Sequence, residues 1–126
     1  MADSELQRLV EVMDRLRSPG GCSWDAEQTH ESLVKYLLEE SYEFIDTVDS
    51  NDRAGMREEL GDVLLQVYFH SRIAEDHPTD PFSIEDVARA IADKLIRRHP
   101  HVFAGLEVSG TEEIIENWEE IKAKEK

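Results

Sequence analysis

The sequence predicts an all-α fold, a helical bundle, because of three observations. Apolar residues recur three and four positions apart through most of the chain, which is the spacing of one helix face. No segment alternates apolar and polar residues between turn signals, as a half-buried strand would. Capping residues, glycines and prolines divide the periodic segments into pieces of helical length. Two long helices joined by a short break, with two or three shorter ones, are typical of such a bundle.

The first half of the chain predicts two helices separated by a loop. The first helix covers residues 4–17, with apolar positions on one face. Residues 18–25 are predicted to form the loop, because this segment contains Pro, Gly and Ser. Asp25 and Gln28 resemble a capping box, which would open a second helix running to about Val48.

The second half predicts three more helices. The third helix covers about residues 53–76 and ends before a proline, because the residue that precedes proline avoids the helical region. The fourth covers about residues 83–98, and residues 99–110 are predicted to be loop. Thr111 is the predicted N-cap of the last helix.

The second and third helices carry more apolar surface than one short bundle covers. Their apolar residues form more than one stripe: Leu33, Leu37, Phe44 and Val48 in one helix, and Leu64, Val67, Tyr68 and Ile73 in the next. We therefore expect a homo-oligomer, a homodimer or a homotetramer, in which another copy of the chain completes the bundle.

Length and composition restrict the class of protein. At 126 residues we expect a single domain, residues 1–126. The formal charge of −15 argues against a protein that holds a nucleic acid polymer through a broad basic surface. Cys22 is the only cysteine, so no internal disulfide can form. No apolar run reaches the roughly 20 residues that span a bilayer, and the acidic start lacks a signal-peptide pattern. We therefore expect a cytoplasmic protein without a membrane partner.

Two acidic segments lie within apolar sequence on consecutive predicted helices: residues 39–43 and 58–62. Residues three apart are neighbours on a helix, so Glu40 and Glu43 share one face, as do Glu59 and Asp62. Two antiparallel helices would bring these four carboxylates to one place. Most acidic clusters are solvated helix faces. Here, however, the same spacing occurs twice, and both copies have apolar neighbours.

The four acids also lack the basic neighbours that are usual on a solvated helix. No Lys or Arg lies three or four residues from any of them, so their repulsion would destabilise the helices unless a cation were bound. Mg²⁺ or Mn²⁺, which prefer oxygen ligands, suit such a site. Glu39 differs because Lys35 lies one turn earlier, which leaves two alternatives, a surface ion pair or a role with a second ion or the attacking water. Gly61, costly inside a helix, indicates a close approach of a helix or ligand.

Basic and aromatic residues elsewhere are candidates for binding a ligand. Lys94, Arg97 and Arg98 lie one turn apart near a predicted helix C-terminus. Cations are favourable there in any protein, and these three are also suited to bind phosphate groups. Trp24, in the predicted loop, is suited either to stacking on a base or to capping the bundle. Trp118, in the last helix, fits either the core or a site.

Five motifs follow one another along the chain: Cys22-Ser23-Trp24-Asp25-x-x-Gln28-Thr29-His30, Leu38-Glu39-Glu40-x-x-Glu43, Glu58-Glu59-Leu60-Gly61-Asp62, Asp93-Lys94-x-x-Arg97-Arg98-His99-Pro100-His101-Val102-Phe103 and Trp118-Glu119-x-Ile121-Lys122. In order and spacing they resemble the MazG family of nucleoside triphosphate pyrophosphohydrolases, from about Leu6 to Lys126. The family usually has proline at the position of Ser23, a difference that changes no metal ligand. The resemblance implies an all-α, oligomeric, Mg²⁺-dependent enzyme of nucleotide house-cleaning. Such an enzyme cleaves a nucleoside triphosphate between its α and β phosphates.

The resemblance also implies roles for individual residues. The implied metal ligands are Glu40, Glu43, Glu59 and Asp62, and Glu39 is a further catalytic candidate. The implied substrate-binding residues are Lys94, Arg97, Arg98, Trp118 and Lys122, with Trp24 as the candidate for stacking. Two alternatives are a relative with a narrow substrate, such as dUTP or phosphoribosyl-ATP, and a non-catalytic helical module that binds a nucleotide or a partner.

Overall fold

The computed structural model describes residues 3–126, which form seven helices and no strand. This confirms the predicted all-α class. The helices are α1 (Glu5–Arg17), α2 (Ser23–Glu27), α3 (His30–Asp49), α4 (Arg53–Ala74), α5 (Ile84–Arg98), α6 (Pro100–Phe103) and α7 (Thr111–Lys124). The chain divides into two compact units, the first ending at Ile84 and the second beginning at Glu85. No helix within residues 3–126 combines the length and apolar character needed to cross a bilayer.

A glycine allows the chain to close over the end of α1. The backbone N–H of Cys22 donates to the carbonyl of Leu16 at 2.9 Å. At Gly21, a Cβ atom would lie 2.1 Å from the carbonyl oxygen of Arg15, a distance that no side chain tolerates. Only glycine therefore fits this close approach.

The predicted capping box at Asp25 is wrong. Residues 23–27 form the short helix α2, and Asp25 lies inside it. The capping box that opens α3 belongs to Thr29 and Ser32: the hydroxyl of each accepts the backbone N–H of the other, at 3.1 and 2.9 Å. α3 therefore begins after Thr29 rather than after Asp25.

Arg17 explains why α2 and α3 are separate helices. Its Nη1 donates to the backbone oxygens of Asp25 at 2.6 Å and Gln28 at 3.1 Å. Arg17 thus donates to both carbonyl groups at the break, and the carbonyl of Asp25 also accepts the backbone N–H of Gln28 at 3.4 Å. A break satisfied in this way carries little cost, because the backbone acceptors keep a partner.

α3 and α4 form an antiparallel hairpin, which places the acidic segments. Asn51 adopts a left-handed conformation (φ 55°) in the short turn, and Asp52 caps α4 by accepting the N–H of Gly55 at 3.0 Å. At the open end of the hairpin, His30 near the start of α3 contacts His70 near the end of α4, with 2.8 Å between their Nδ1 atoms. Early residues of α3 therefore face late residues of α4.

The core of the first unit lies between α1, α3 and α4. It contains four buried residues: Met13, Leu33, Tyr68 and Phe69. Leu33 is only 1% exposed, and full burial of such a side chain contributes about 1.5–3 kcal/mol. Apolar side chains on the outer faces of α3 and α4 are exposed: Val34, Leu38, Tyr42, Ile45, Val48 and Leu60. The oligomer that would cover them stays a prediction.

The second unit contains a short helix that was not predicted from the sequence. Residues 99–110 were predicted to be loop, but Pro100–Phe103 form one helical turn, α6. Proline is well suited to the first position of a helix, because the N–H that it lacks would have no partner there. The proline that ends α5 therefore also begins α6.

The predicted N-cap of the last helix is shifted by one residue. Gly110 is the N-cap, and Thr111 is the first residue of α7. The backbone N–H and the hydroxyl of Ser109 both donate to the carboxylate of Glu113, at 2.9 and 2.8 Å. This contact ties the first turn of α7 to the residue before the N-cap, and no side chain among the described residues caps the helix itself.

Candidate metal centre

The hairpin of α3 and α4 brings the acidic segments together. Glu40 and Glu43 lie one turn apart in the middle of α3, and Glu59 lies in the second turn of α4. One carboxylate oxygen from each of these residues lies within 4.8 Å of the other two. Two oxygens bound to the same divalent cation are separated by at most roughly 4–5 Å, twice the metal–oxygen distance. The three carboxylates are therefore spaced to share an ion.

Two oxygens of this cluster are buried without a hydrogen-bond partner, Oε2 of Glu40 and Oε2 of Glu59. A buried polar atom without a partner is costly, and more so when it carries charge. Among residues 3–126, no ion pair joins a Lys or Arg to Glu40, Glu43, Glu59 or Asp62. A donor set made only of carboxylates, with orphaned oxygens, fits a hard divalent cation.

The proton affinities of the cluster reflect the same lack of positive charge. Burial, followed by the charges of Glu43 and Asp62, raises the pKa of Glu59 from its ordinary 4.5 to about 7. Burial and then the same two neighbours raise the pKa of Glu40. At neutral pH Glu59 in the metal-free cluster is therefore partly protonated, and a bound cation would displace that proton.

Asp62 lies beside the closest group of carboxylates. Its charge raises the pKa of both Glu40 and Glu59, and its carboxylate is close enough to share a proton with that of Glu59. It is not one of the three residues whose oxygens lie within 4.8 Å of each other. Its role as a fourth ligand stays a prediction.

The structure shows neither an ion pair between Glu39 and Lys35 nor a close approach of another helix to Gly61 within the described residues. The ammonium of Lys35 lies 5.1 Å from the ring centroid of Tyr36, and no ion pair joins it to Glu39 within the described residues. Glu39 is exposed, and its charge contributes to the raised pKa of Glu40. A Cβ atom on Gly61 would meet nothing within 4 Å, so no other part of residues 3–126 approaches it closely.

In the second unit, the two predicted phosphate-binding arginines share one acid. Glu125 accepts hydrogen bonds from Nε of Arg97 at 2.6 Å, and from Nε and Nη2 of Arg98 at 3.2 and 2.7 Å. These bonds hold the pKa of Glu125 well below its ordinary range, at about 2. Glu125 was not predicted from the sequence, because nothing local marks an acid that lies 27 residues from its partner Arg98.

The aromatic and basic residues around Arg98 complete this part of the second unit. Its guanidinium carbon lies 5.1 Å from the centroid of Trp118, and the ring of His99 meets the same tryptophan edge-on at 5.2 Å. Lys94 is half-buried and Lys122 is exposed. The roles predicted for Lys94, Arg97, Arg98, Trp118 and Lys122 in substrate binding stay predictions.

Trp24 lies on α2 rather than in a loop. Its ring meets those of Tyr36 and Phe69 edge-on, at centroid distances of 6.0 and 6.5 Å, while about half of the residue is exposed. It therefore borders the core of the first unit and keeps an accessible surface. Its stacking on a base stays a prediction.

A family model for the MazG nucleotide pyrophosphohydrolase domain matches residues 28–103, more than half of the chain. The chain belongs to the MazG family. The family predicted from the sequence motifs is thus confirmed. The match includes both acidic segments and the basic end of α5, whereas Trp24, Trp118 and Lys122 lie outside it.

Several relatives show how this MazG domain occurs in longer proteins. The chain is 52% identical over 120 residues to the nucleoside triphosphate pyrophosphohydrolase/pyrophosphatase MazG of Thermotoga maritima, covering 95% of this chain and 45% of that protein. It is 55% identical over 123 residues to a nucleoside triphosphate pyrophosphohydrolase of Mycolicibacterium smegmatis, covering 95% and 37%. A protein with the same name from Escherichia coli is 43% identical over 124 residues, covering 98% and 46%. The chain spans half or less of the length of these relatives.

A solved structure confirms the MazG fold. The crystal structure of a mazG-related protein from Thermotoga maritima superposes with a TM-score of 0.75 at 27% identity, covering 93% of this chain and 98% of that one. The all-α arrangement of this MazG chain therefore agrees with that of a solved MazG-related protein.

Proposed function

We propose that this chain hydrolyses nucleoside triphosphates between the α and β phosphates, with Mg²⁺ as cofactor and Mn²⁺ as a substitute. The observation that carries the proposal is the cluster of Glu40, Glu43 and Glu59, with its two buried, unpartnered oxygens, in a chain of the MazG family. The names of the relatives support the same activity.

The carboxylates of Glu40, Glu43, Glu59 and Asp62 hold the ion in this proposal. When bound, Mg²⁺ neutralises the polyphosphate, polarises the phosphoryl group and makes a water molecule a better nucleophile. The four acids contribute by supplying negative charge that is already assembled, because α3 and α4 fix their spacing. Glu39, exposed beside Glu40, is the candidate that orients the attacking water.

The reaction itself consumes one water molecule. The water oxygen forms a bond to phosphorus, the bridging P–O bond between the α and β phosphates breaks, and a proton is released. The products are a nucleoside monophosphate and pyrophosphate. The proposed phosphate ligands are Lys94, Arg97 and Arg98. Trp118 and Lys122 are proposed to contribute to the nucleotide pocket, and Trp24 is the separate candidate for stacking on a base. In the cell, such an activity would remove unwanted nucleotides from the pool.

Product analysis tests this proposal directly. The purified protein is incubated with a panel of nucleoside triphosphates, dUTP and phosphoribosyl-ATP included, with and without Mg²⁺. We expect pyrophosphate and the nucleoside monophosphate only when the metal is present. Release of inorganic phosphate would refute the cleavage position, and turnover of one substrate alone would favour the narrow-substrate alternative. No turnover of any substrate would favour the non-catalytic module.

We also propose that the working form is a homodimer or a homotetramer. The support is the apolar side chains exposed on the outer faces of α3 and α4, among them Leu38, Tyr42 and Ile45. Light scattering coupled to size-exclusion chromatography measures the mass in solution. A monomer at micromolar concentration would refute this part of the proposal.

A further inference from the structure

The carboxylate of Glu125 binds two arginines at once, at the point where α7 ends. Its Oε2 accepts from Arg97 at 2.6 Å, and its Oε1 accepts from two nitrogens of Arg98 at 2.7 and 3.2 Å. Because charge-assisted hydrogen bonds of this length are among the strongest in proteins, one acid fixes the direction of two long side chains.

These contacts leave donors of both arginines for another acceptor. Three guanidinium nitrogens form no hydrogen bond or ion pair among residues 3–126: Nη1 and Nη2 of Arg97 and Nη1 of Arg98. Two guanidinium charges face one carboxylate, so the group of three keeps a net positive charge. An anion with several oxygens, such as a polyphosphate, matches both the remaining donors and the remaining charge.

Burial distinguishes the two arginines. The side chain of Arg98 is 12% exposed and lies against the ring of Trp118, whereas the side chain of Arg97 is 51% exposed. The side chain of Glu125 is 20% exposed, so water competes only partly for its bonds. Arg98 is therefore held on its face by the tryptophan and on its edge by the acid. Arg97 has its hydrogen bond to the acid, and the charge of Asp93, one turn earlier, also acts on it.

We propose that Glu125 is a positioning residue for substrate, which holds Arg97 and Arg98 in the arrangement that receives the phosphate groups. The inference rests on the proposed function, in which both arginines bind phosphate. Two ordered side chains lose less conformational freedom when the anion arrives than two free ones would, so the anion binds more tightly. Glu125 itself does not touch the substrate.

Two other roles for Glu125 make different predictions. If the carboxylate instead occupied the place of a phosphate group, its removal would strengthen anion binding. If it only anchored α7 to the end of α5, its removal would lower the melting temperature and leave anion affinity unchanged. The direction of the affinity change therefore separates the three roles.

The test compares Glu125→Gln with Glu120→Gln, a matched control on the exposed part of the same helix. Binding of inorganic triphosphate in the presence of Mg²⁺ is measured by calorimetry, and KM and kcat are measured with a nucleoside triphosphate. For Glu125→Gln we expect roughly tenfold weaker triphosphate binding and a similar rise in KM, with kcat changed much less. Glu125→Asp, which keeps the charge on a shorter side chain, is expected to recover part of the affinity.

Nuclear magnetic resonance of the arginine Nε–H groups gives a readout independent of turnover. Slowly exchanging Nε–H signals of Arg97 and Arg98 are expected in the wild type and in Glu120→Gln, and their loss is expected in Glu125→Gln. Unchanged or tighter triphosphate binding in Glu125→Gln would overturn the inference, as would the absence of triphosphate binding to the wild type. Failure of the wild type to hydrolyse nucleotides would refute the proposed function. The triphosphate measurement would still decide the role of Glu125.

Discussion

Replacement of Glu59 by glutamine should raise the stability of the metal-free protein and should remove the stabilisation that a bound metal ion provides. In the metal-free protein the substitution removes a negative charge next to Glu43 and Asp62, both of which raise the pKa of Glu59. A carboxyl group whose pKa lies above its ordinary value destabilises the fold when it ionises. The wild type therefore loses stability as the pH rises from 4.5 through about 7, and Glu59→Gln does not lose this contribution.

When metal is added, we expect the wild type to have the higher melting temperature of the two proteins. A ligand at 100 times its dissociation constant stabilises the folded state by about 2.7 kcal/mol. For a chain of this size, that corresponds to an increase in melting temperature of roughly 8–13 °C. We expect Mg²⁺ or Mn²⁺ to give the wild type a rise of this size and to give Glu59→Gln almost none, because one of the three closest proposed ligands has lost its charge.

The assay is a series of thermal melts between pH 4.5 and 8, with and without the metal ion, and Glu58→Gln is the control. Glu58 is the exposed neighbour of Glu59 and lies outside the close group of carboxylates. We expect the metal-free Glu59→Gln protein to melt above the wild type at pH 8 and together with it near pH 4.5. The reasoning would be refuted if Glu59→Gln and Glu58→Gln showed the same melts and the same response to metal.

Three further predictions concern the fold and the second unit. Leu33→Ala should lower the free energy of unfolding by about 2–5 kcal/mol in a denaturant titration, because the side chain is 1% exposed. Leu38 is 58% exposed, so Leu38→Ala should destabilise a monomer far less and should weaken any oligomer. Gly21→Ala should destabilise the fold, because a Cβ atom there clashes with the backbone, whereas Gly61→Ala should stabilise α4 by up to about 1 kcal/mol. Equal melting temperatures for the two variants would contradict the contacts described for these glycines. Since the pKa of Glu125 is about 2, its contribution to stability is complete above about pH 4.5 and is lost as the pH falls towards 2. Glu125→Gln should therefore abolish that part of the acid dependence in circular dichroism melts.

The sequence predicted the long helices well because their signals are local. The apolar spacing of α1, α3 and α4 and the proline after α5 need no tertiary contact to act. The observed bounds of α1 and α4 and the end of α3 differ little from the predicted ones, whereas α3 begins later than predicted. The errors lie where a distant side chain decides the outcome. The break between α2 and α3 depends on Arg17, which comes from another helix to bind their carbonyl groups.

In the candidate site, too, local sequence signals predicted some features, whereas features that depend on tertiary contacts were not predicted. Glu40, Glu43 and Glu59 were predictable because helix periodicity places them, and the absence of basic neighbours can be read from the sequence. The separation of Asp62 from the closest group was not predictable, since it depends on the side-chain positions in the packed hairpin. Glu125 was missed because its partners are brought to it by the fold of the second unit.

The unpartnered acids of the α3–α4 hairpin also have a consequence for the order in which ligands bind. A triphosphate without metal carries several negative charges, and the carboxylates of Glu40, Glu43 and Glu59 would repel it at close range. The same carboxylates attract a nucleotide that already carries a divalent cation. The hairpin would therefore discriminate between metal-bound and bare nucleotides before any chemistry begins, and an excess of bare nucleotide should compete poorly with its magnesium complex.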